Sequence, residues 1–573
     1  METAAAPTTA DGDAQRDLTT LARGGALNLA GAAATGLCNF VLLVVVARGL
    51  RAQGTGAFYE AVALFLILSS AAALGADVGL SRMVPRYRAL GRVRDLRRGL
   101  HASLWPVAAA GVLAGVLAAV FAPQLADVFS RHDDNAQLAD FIRTFALFVP
   151  VSALSLAVFA ATRGFATMRP TVFLDKIARP ALQPVAVLAA IAAGAGSTLI
   201  ALAYLGPYLP ALVAGLAWLA VLLRRAERPR PGGPDPQPAR PTGRLVGEFW
   251  RFTGPRGLAA LFQTTSLWLN TLLIGALRST SDAGVYAAAS RYLTVAAMAA
   301  VAIRQVLAPK ISELLARRST ERAGAVYQGT TAWMVAINWP IYLVLLTFGP
   351  ALLAVFGRDF AGGEVVLVVL AATMLVATAV GPVDVVLLMG GGSAWNLVNT
   401  VLALGANLAL NVALIPRYGL AGAAAASAVG TLLNNLLPLV QVWRSLGLHP
   451  FGRGVGVAAV LSLVSFGLLG LGLRALLGPT LVGLVVYVVA GCGLYAALLW
   501  RFRDRLDWQA LRAVLARPRR SRPAGAGARC AGGWSWPGWS WPGSPSGWWR
   551  SPRPGGWGGP ATTPPSGPGP TCW

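Results

Sequence analysis

The chain carries about fourteen apolar segments of roughly 20 residues each, the length with which an α-helix crosses the hydrocarbon layer of a membrane. Backbone N–H and C=O groups cannot stay unpaired in lipid, so these segments are predicted to be helices. They begin near Gly25, Ala57, Ala102, Phe141, Ala181, Ser197, Gly257, Gly284, Tyr327, Glu364, Asn396, Gly419, Gly454 and Leu481. The sequence therefore predicts an all-α polytopic membrane protein with about 14 transmembrane helices.

Composition agrees with this and excludes a nucleic-acid partner. The 573 residues are 55% hydrophobic and 12% charged, with a mean hydropathy of +0.60. The formal net charge is +25, but the charges lie in short loops between apolar segments rather than on one soluble face. The four cysteines and three histidines do not have the spacing of metal ligands. We therefore predict no metal, no cofactor and no nucleic acid.

The distribution of basic residues predicts the orientation. With the N-terminus inside, the segments assigned to the cytoplasm hold about three times as many Arg and Lys residues as the external segments. The densest stretch is "RMVPRYRALGRVRDLRR" (82–98). Basic residues are retained on the cytoplasmic side, so both termini are predicted to be cytoplasmic. The first apolar segment is too long for the core of a cleaved signal peptide.

The chain also divides into two similar halves. "LRAQGTGAFYEA" (50–61) and "LRSTSDAGVYAAA" (277–289) fall at equivalent places, and such repeats build many transporters. Between them, "RRAERPRPGGPDPQPARPTGR" (224–244) is typical of a linker. The predicted parts are a disordered cytoplasmic N-terminus (1–24), a six-helix N-lobe (25–223), a cytoplasmic linker (224–248), a six-helix C-lobe (249–442), two further helices (443–500), and a cytoplasmic tail (501–573) with a basic helix and a disordered Trp/Pro/Gly-rich end.

One stretch places amides and very small side chains in an apolar run: "NLALNVALIPRYGLAGAAAASAV" (407–429). Small residues let membrane helices approach closely, and asparagines can bond between helices. Asn407, Asn411 and Asn270 are therefore predicted to make structural contacts between helices, although a substrate contact is the alternative for Asn407 and Asn411. Pro416 and Gly419 are predicted to form a tight external hairpin.

This stretch resembles a signature of the polysaccharide transporter family, within the multidrug/oligosaccharidyl-lipid/polysaccharide (MOP) flippase superfamily. Supporting likeness comes from "ARGLRAQGTGAFYEAVALF" (47–65), "GADVGLSRMVPRY" (75–87) and "DAGVYAAASRY" (282–292). The resemblance covers about residues 20–500. It implies the MOP flippase fold and the transfer of undecaprenyl-pyrophosphate-linked sugars across the bacterial inner membrane by alternating access. The family often has an acid in span seven, where this chain has Asn270, so the coupling ion stays open.

A flippase for such a substrate needs positive charge at membrane depth, where ionisable groups are costly and therefore functional candidates. Arg304 and Arg291, both in span eight, are the deepest cations and the predicted pyrophosphate-binding residues, in that order. Snorkelling toward the membrane surface is the alternative for each. Thirteen residues separate them, so they point in different directions along a helix. Arg256, Arg82 and Arg163 are predicted to mark the cytoplasmic boundary or to line an inward mouth.

Two acids lie deep in the spans. Asp77 in span two and Asp384 in span ten are predicted to carry a coupling H⁺ or Na⁺, or to pair with a deep arginine. Glu60 lies near the outer end of its span and is predicted to be solvated.

Two other classes remain as alternatives. A cation-coupled drug exporter of the same superfamily would use an anionic cavity, which the deep arginines disfavour. A membrane glycan polymerase or ligase would need a large extramembrane segment with clustered carboxylates, and no external loop is that large. The predicted partners are the lipid-linked glycan and membrane lipids, with glycosyltransferases or a polymerase as candidate protein partners.

Overall fold

The computed structural model describes residues 9–90, 92–129, 135–227 and 242–502, and within these ranges the chain contains no β-strand. These residues all belong to one compact unit. The helices of the first half are α1 (Thr9–Ala73), α2 (Ala76–Ala89), α3 (Val93–Val120), α4 (Ala122–Phe129), α5 (Ala136–Leu147), α6 (Val149–Gly164), a π-helical segment (Thr171–Ala178), α7 (Arg179–Ala192), α8 (Ser197–Leu205) and α9 (Tyr208–Glu227).

The second half begins after residues 228–241. Its helices are α10 (Thr242–Leu277), α11 (Thr280–Ala296), α12 (Met298–Ala316), α13 (Thr320–Thr347), α14 (Gly349–Leu353), a 3₁₀ turn (Arg358–Gly363), α15 (Glu364–Val380), α16 (Val383–Met389), α17 (Ser393–Leu446), α18 (Arg453–Ser462), a second π-helical segment (Leu463–Leu468), α19 (Leu469–Leu477) and α20 (Leu481–Arg501).

Nine helical runs in the described ranges are long and apolar enough to cross a membrane, and the pair α5–α6, bent by 44°, adds a tenth. Two of the nine, in α1 and α17, are too long for one crossing. Each of these two runs changes direction at a non-helical residue, Arg51 in α1 and Gly419 in α17. Dividing these two, and counting the interrupted runs 171–192 and 280–316, gives about the fourteen segments that the sequence predicted.

The hairpin at Gly419 shows how the turn is made. Its φ of 56° lies in the left-handed region that glycine adopts readily. The guanidinium of Arg278 packs against it, with Nε 3.2 Å from where a Cβ atom would lie. Pro416 remains inside the helical run, so the direction changes at Gly419 and not before it.

Three predicted boundaries need comment. Residues 9–24, predicted to be disordered, are helical from Thr9 onward, because good helix formers extend a helix that the first span has already nucleated. The helices α9 and α10 also extend into the predicted linker, to Glu227 and from Thr242. The rest of the linker, and the tail beyond residue 502, lie outside the described residues.

The surface is that of a multi-pass membrane protein. Large apolar side chains point outward along the helices; Leu267 is 76% exposed, Trp105 72% and Leu476 81%. Exposed apolar surface of this extent would be unfavourable in water, whereas lipid covers it without cost.

Among the contacts between the two halves, two bring backbones together at glycines. Toward one end, a Cβ atom on Gly56 would collide with the carbonyl of Thr280, and one on Gly284 with the carbonyl of Ala52. Toward the other end, a Cβ atom on Gly75 would lie 2.5 Å from the amide nitrogen of Gly257. Because these glycines have no side chain, the backbones of the two halves can touch there. We call the second place, where residues 82–98 lie, the arginine-rich end.

Candidate functional site

The predicted pyrophosphate ligand Arg304 is paired with one of the predicted coupling acids. Its Nη1 donates to Oδ2 of Asp384 at 2.9 Å, joining α12 to α16. Both side chains are about one third exposed (36% and 31%). The other oxygen of Asp384, Oδ1, is buried and accepts no hydrogen bond from the residues that the structure describes. This pair is the alternative that the sequence left open for Asp384, pairing with a deep arginine.

The position of Asp384 follows from a break in span ten. The helix α15 ends at Val380, Gly381 takes a φ of 70°, and α16 begins at Val383 after a proline. The hydroxyl of Tyr327 donates to the carbonyl of Val380 at 2.7 Å, which satisfies an acceptor that the break leaves without a helical partner. Interrupted membrane helices are where transporters build their binding sites.

Arg291 has different surroundings. Its guanidinium carbon lies 5.5 Å from the ring centre of Tyr59, in the first half of the chain, and 5.7 Å from that of Trp268, in α10. Aromatic faces attract a cation without cancelling its charge. Within the described ranges Arg291 forms no ion pair, and its buried Nε donates no hydrogen bond. Arg291 is therefore a charge held between the two halves of the chain.

Arg291 and Arg304 do not share one cavity wall. They belong to separate helices, because span eight is interrupted between Ala296 and Met298. One guanidinium faces aromatic rings and the other faces a carboxylate. The sequence predicted different directions from helical spacing, and the interruption adds to the difference.

Asp77 lies near another predicted residue, Arg163. It stands in the first turn of α2, directly after Gly75, whose φ is 74°. The carboxylates of Asp77 and Asp175 both act electrostatically on Arg163, which is half-buried at the end of α6. Asp77 and Asp384 thus have separate arginine neighbours, one in each half of the chain.

A charged cluster in span five was missed by sequence reasoning. Asp175 accepts from Arg179 at 3.1 Å, and Arg179 lies 4.4 Å from the ring centre of Tyr208. Lys176 Nζ donates to Asn28 Oδ1 at 2.7 Å. These charges lie on the π-helical segment and the residue after it, a geometry that often marks functional sites. The sequence feature that could have revealed this cluster is "DKIAR" (175–179). It was assigned to a loop because span five was predicted to begin at Ala181.

Arg82 and Arg256 meet at the arginine-rich end. Their guanidinium carbons lie 4.0 Å and 5.0 Å from the centre of the same ring, Phe252. Beside them Arg86 pairs with Glu248 at 2.8 Å. An open cleft between α2 and α10 includes Arg82, Arg86, Glu248 and Phe252 in its lining, and Arg163 is not part of it.

The predicted asparagine contacts form one network. Asn411 Nδ2 donates to Asn270 Oδ1 at 2.8 Å, and Asn270 Nδ2 donates to Ser427 Oγ at 2.9 Å and to Tyr286 Oη at 3.2 Å. Asn411 also donates to Asn407 Oδ1 at 3.0 Å. The network joins α10, α11 and both arms of α17, so these polar side chains hold helices together.

Glu60 was predicted to be solvated, and this was wrong. It is 1% exposed and lies against Gly275 of α10, where the missing side chain leaves room for the carboxylate. A glycine on a neighbouring helix gives no signal in the sequence around Glu60. No group of three His, Cys, Asp or Glu residues in the described part of the chain is arranged to hold a metal ion.

The fold is similar to that of a solved membrane transporter. A multidrug resistance MATE family transporter of the MOP superfamily, solved in an inward-facing conformation, matches with a TM-score of 0.57 at 13% identity, covering 72% of this chain and 94% of that chain. The family is defined more closely by sequence: the polysaccharide biosynthesis protein family matches residues 21–315, and the chain belongs to it. The predicted resemblance and the predicted fold class are both confirmed.

Two curated relatives come from Haloferax volcanii. The probable low-salt glycan biosynthesis flippase Agl15 is 24% identical over 241 residues, which are 40% of this chain and 49% of the relative. The probable flippase AglR is 28% identical over 258 residues, which are 42% of this chain and 52% of the relative. The chain therefore spans about half the length of the curated relatives that it matches.

Proposed function

We propose that this protein is a flippase that moves a lipid-linked oligosaccharide across a membrane by alternating access of its two halves. The observation that carries the proposal is Arg291, a guanidinium without an ion-pair partner in the described ranges, held between a ring of each half. A cation there can bind a phosphate that has left the water, and a guanidinium can do so through two parallel hydrogen bonds. Membership of the polysaccharide biosynthesis protein family and the relatives named as flippases support the same function.

The geometry favours Arg291 over Arg304 as the main phosphate-binding residue. Asp384 already neutralises Arg304, so an incoming phosphate would have to replace the carboxylate. Arg291 carries no such competitor, because its neighbours are rings. The order in which the sequence ranked these two arginines is therefore reversed in the proposal.

Ion coupling is assigned to the acids. In our proposal Asp384 takes up H⁺ or Na⁺ when it separates from Arg304, and the unpartnered Oδ1 is the atom that the ion meets first. Asp77, next to Arg163, is the corresponding acid of the first half. No other cofactor is needed, since moving a lipid across a membrane forms and breaks no covalent bond.

The finer identity follows from the sequence resemblance. We take the lipid carrier to be undecaprenyl pyrophosphate, the membrane to be the bacterial inner membrane, and both termini to be cytoplasmic. The relatives that support a flippase come from an archaeon, so their names bear on the glycan pathway and not on the carrier. Glycosyltransferases that build the glycan, or a polymerase that uses it, are the partners that we propose.

A drug exporter is the second candidate, favoured by the likeness to a MATE transporter in fold. Its cationic substrates would be repelled by Arg291, whereas a pyrophosphate would be attracted. We therefore place the exporter behind the flippase, and a glycan polymerase or ligase behind both.

The test replaces Arg291 with alanine and with lysine, at matched protein levels, and measures the lipid-linked sugar that reaches the outer leaflet. Alanine removes a charge-assisted contact of roughly 1.5–3 kcal/mol, so we expect about a tenfold loss or more. Lysine keeps the charge without the planar fork and should restore transport only in part. Arg358→Ala, an exposed arginine in a 3₁₀ turn, is the control. Normal flipping by the Arg291→Ala, Arg304→Ala double variant would contradict the proposal and favour the exporter.

A further inference from the structure

The cleft between α2 and α10 has a chemistry that the transport pathway does not require. It contains about 540 Å³ of space, including the solvent at its mouth, and is lined by both halves of the chain. The helices are in contact at one end, where a Cβ atom on Gly75 would meet Gly257 and one on Gly79 would meet Phe249. Farther along α2, the Arg86–Glu248 pair bridges the same two helices. The cleft therefore lies between the glycine contacts and this ion pair.

Phe252, a ring in the cleft lining, has two cations beside it: Arg82, which also lines the cleft, and Arg256, which lies next to the lining. The guanidinium groups of Arg82 and Arg256 both lie against the ring of Phe252, at 4.0 Å and 5.0 Å from its centre. Neither forms an ion pair or a hydrogen bond with any residue in the described ranges. The ring holds both charges in place and neutralises neither. Two unpaired cations beside one ring favour an anion as the ligand.

The rest of the lining is apolar or already paired. Met83 and Phe249 are each 7% exposed and present apolar surface to the cleft. Arg86 is paired with Glu248 across the two helices, so it closes the rim without adding a free charge. The ligand that fits is an amphiphile, with one strongly anionic group and an apolar chain.

The position of Arg82 along α2 narrows the choice of anion further. Arg82 lies seven residues before the end of α2, which is about 10 Å along a helix. Arginines beside an aromatic ring near a helix end are typical of the head-group layer, where lipid phosphates lie. Phosphate is also the anion that a guanidinium fork matches best.

We propose that the α2–α10 cleft is a binding site for the phosphate head group of an anionic lipid in the leaflet at the arginine-rich end. The lipid is either a prenyl pyrophosphate, in which case the cleft is a loading position for the substrate, or an anionic phospholipid that wedges between the halves. Only the first source rests on the proposed flippase function. The phosphate is bound by Arg82 and Arg256, and the chain lies against Met83 and Phe249.

Photo-crosslinking in vesicles tests this, because it reports where a lipid lies and not whether it is transported. The purified full chain is reconstituted with one of three diazirine-bearing probes: farnesyl pyrophosphate, phosphatidylglycerol, or phosphatidylcholine as the zwitterionic control. Crosslinked peptides are mapped to residues. We expect a pyrophosphate or phosphatidylglycerol label on the peptides that hold Met83 and Phe249, and little from phosphatidylcholine. The anionic probe that labels identifies the source.

The variant Arg82→Ala, Arg256→Ala should lower that label about fivefold or more, because both phosphate contacts are lost. The matched control Arg97→Ala, Arg251→Ala removes the same charge from exposed positions outside the cleft lining and should leave the label unchanged. Phe252→Leu keeps both charges but removes the ring, and it should lower the label in part. This variant tests the site independently, in case the double variant misfolds. Equal labelling with and without Arg82 and Arg256, or equal labelling by phosphatidylcholine, would overturn the proposal. A flippase that transports normally without this label would overturn the cleft alone and leave the proposed function intact.

Discussion

Each half of the chain holds an arginine–aspartate pair at an irregular helix, and the two pairs differ in what they connect. Arg304 and Asp384 are 80 residues apart and belong to α12 and α16, two separate helices. Arg179 and Asp175 are one turn apart in a single helical run. Relative movement of helices can separate the first pair, whereas the second moves as a unit with its helix. In the proposed transport cycle we therefore expect switching in the second half and fixed positioning in the first.

The surroundings of the two pairs agree with this difference. The irregularity beside Asp384 is a full break at Gly381, and one carboxylate oxygen lacks a partner among the described residues. The irregularity beside Asp175 is a π-helical turn without glycine, and Tyr208 covers the arginine. The first arrangement leaves a buried carboxylate oxygen of Asp384 without a hydrogen bond, and Asp175 has no such buried oxygen within the described ranges.

The largest effect is expected from Asp384→Asn. The amide keeps a hydrogen bond to Arg304 but carries no charge, so the ion that drives the cycle has no site. We expect about a tenfold or greater loss of lipid-linked sugar on the outer leaflet, with substrate binding retained. The double variant Arg304→Gln, Asp384→Asn should recover folding stability, because no unpaired charge remains, but not transport.

Asp359→Asn, in the exposed 3₁₀ turn, is the control for loss of one carboxylate. Full transport by Asp384→Asn would show that the second half does not switch through this pair and would remove the main difference between the halves.

A smaller effect is expected from Gly381→Ala, which tests whether the break itself is required. Alanine at a φ of 70° is strained, and its methyl would collide with the side chain of Thr331. We expect a loss of roughly 1–3 kcal/mol in the free energy of unfolding and a several-fold loss of transport. Gly391→Ala has the same kind of φ with open space around it, so it measures the backbone strain alone. Equal melting temperatures for the two variants would show that the collision with Thr331 adds nothing to the loss of stability.

Asp175→Asn should have a modest effect, because it breaks a pair within one helix. Such pairs contribute about 0.3–0.5 kcal/mol, and we expect less than about a threefold loss of transport. Asp140→Asn is the matched control, since Asp140 lies 3.9 Å from Arg143 with the two side chains about half exposed. If Asp175→Asn abolished transport as Asp384→Asn should, both halves would switch, and the comparison would fail.

The last prediction changes no activity and decides which side of the membrane both pairs face. In a functional variant without the four native cysteines, single cysteines at Asp235 and Arg318 should be shielded from an impermeant thiol reagent added to intact cells. Cysteines at Asp282 and Arg358 should react. Labelling at Asp235 from outside would reverse the proposed orientation and place the arginine-rich end outside.

Much of the fold could be predicted because membrane burial acts on local sequence. A run of apolar residues must be helical in lipid wherever it lies in the chain, so the spans starting near Tyr327 and Leu481 were predicted close to α13 and α20. Irregular helices were harder. The break at Arg51 falls between the spans predicted to begin near Gly25 and Ala57, but the π-helical segment that begins at Thr171, directly after Pro170, was not predicted.

The site residues divide in the same way. Sequence alone was enough to propose Arg291, Arg304, Asp77 and Asp384 as candidates, since a charge in an apolar run is visible without a structure. It missed Asp175 and Lys176, because they lie at the start of a span where a loop and a helix have the same composition. It also predicted a solvated Glu60, since nothing near Glu60 indicates that Gly275 would receive it.

What the sequence determined by itself was the class of molecule: helices through a membrane, basic residues toward one end, and a few charges at depth. Those properties depend on the solvation of each segment, and solvation is local. Only the tertiary structure decided that Asp384 would neutralise Arg304 while rings would surround Arg291. Partners that are 80 or more residues apart are chosen by the packing of helices, and packing depends on glycines and small side chains spread over the whole chain.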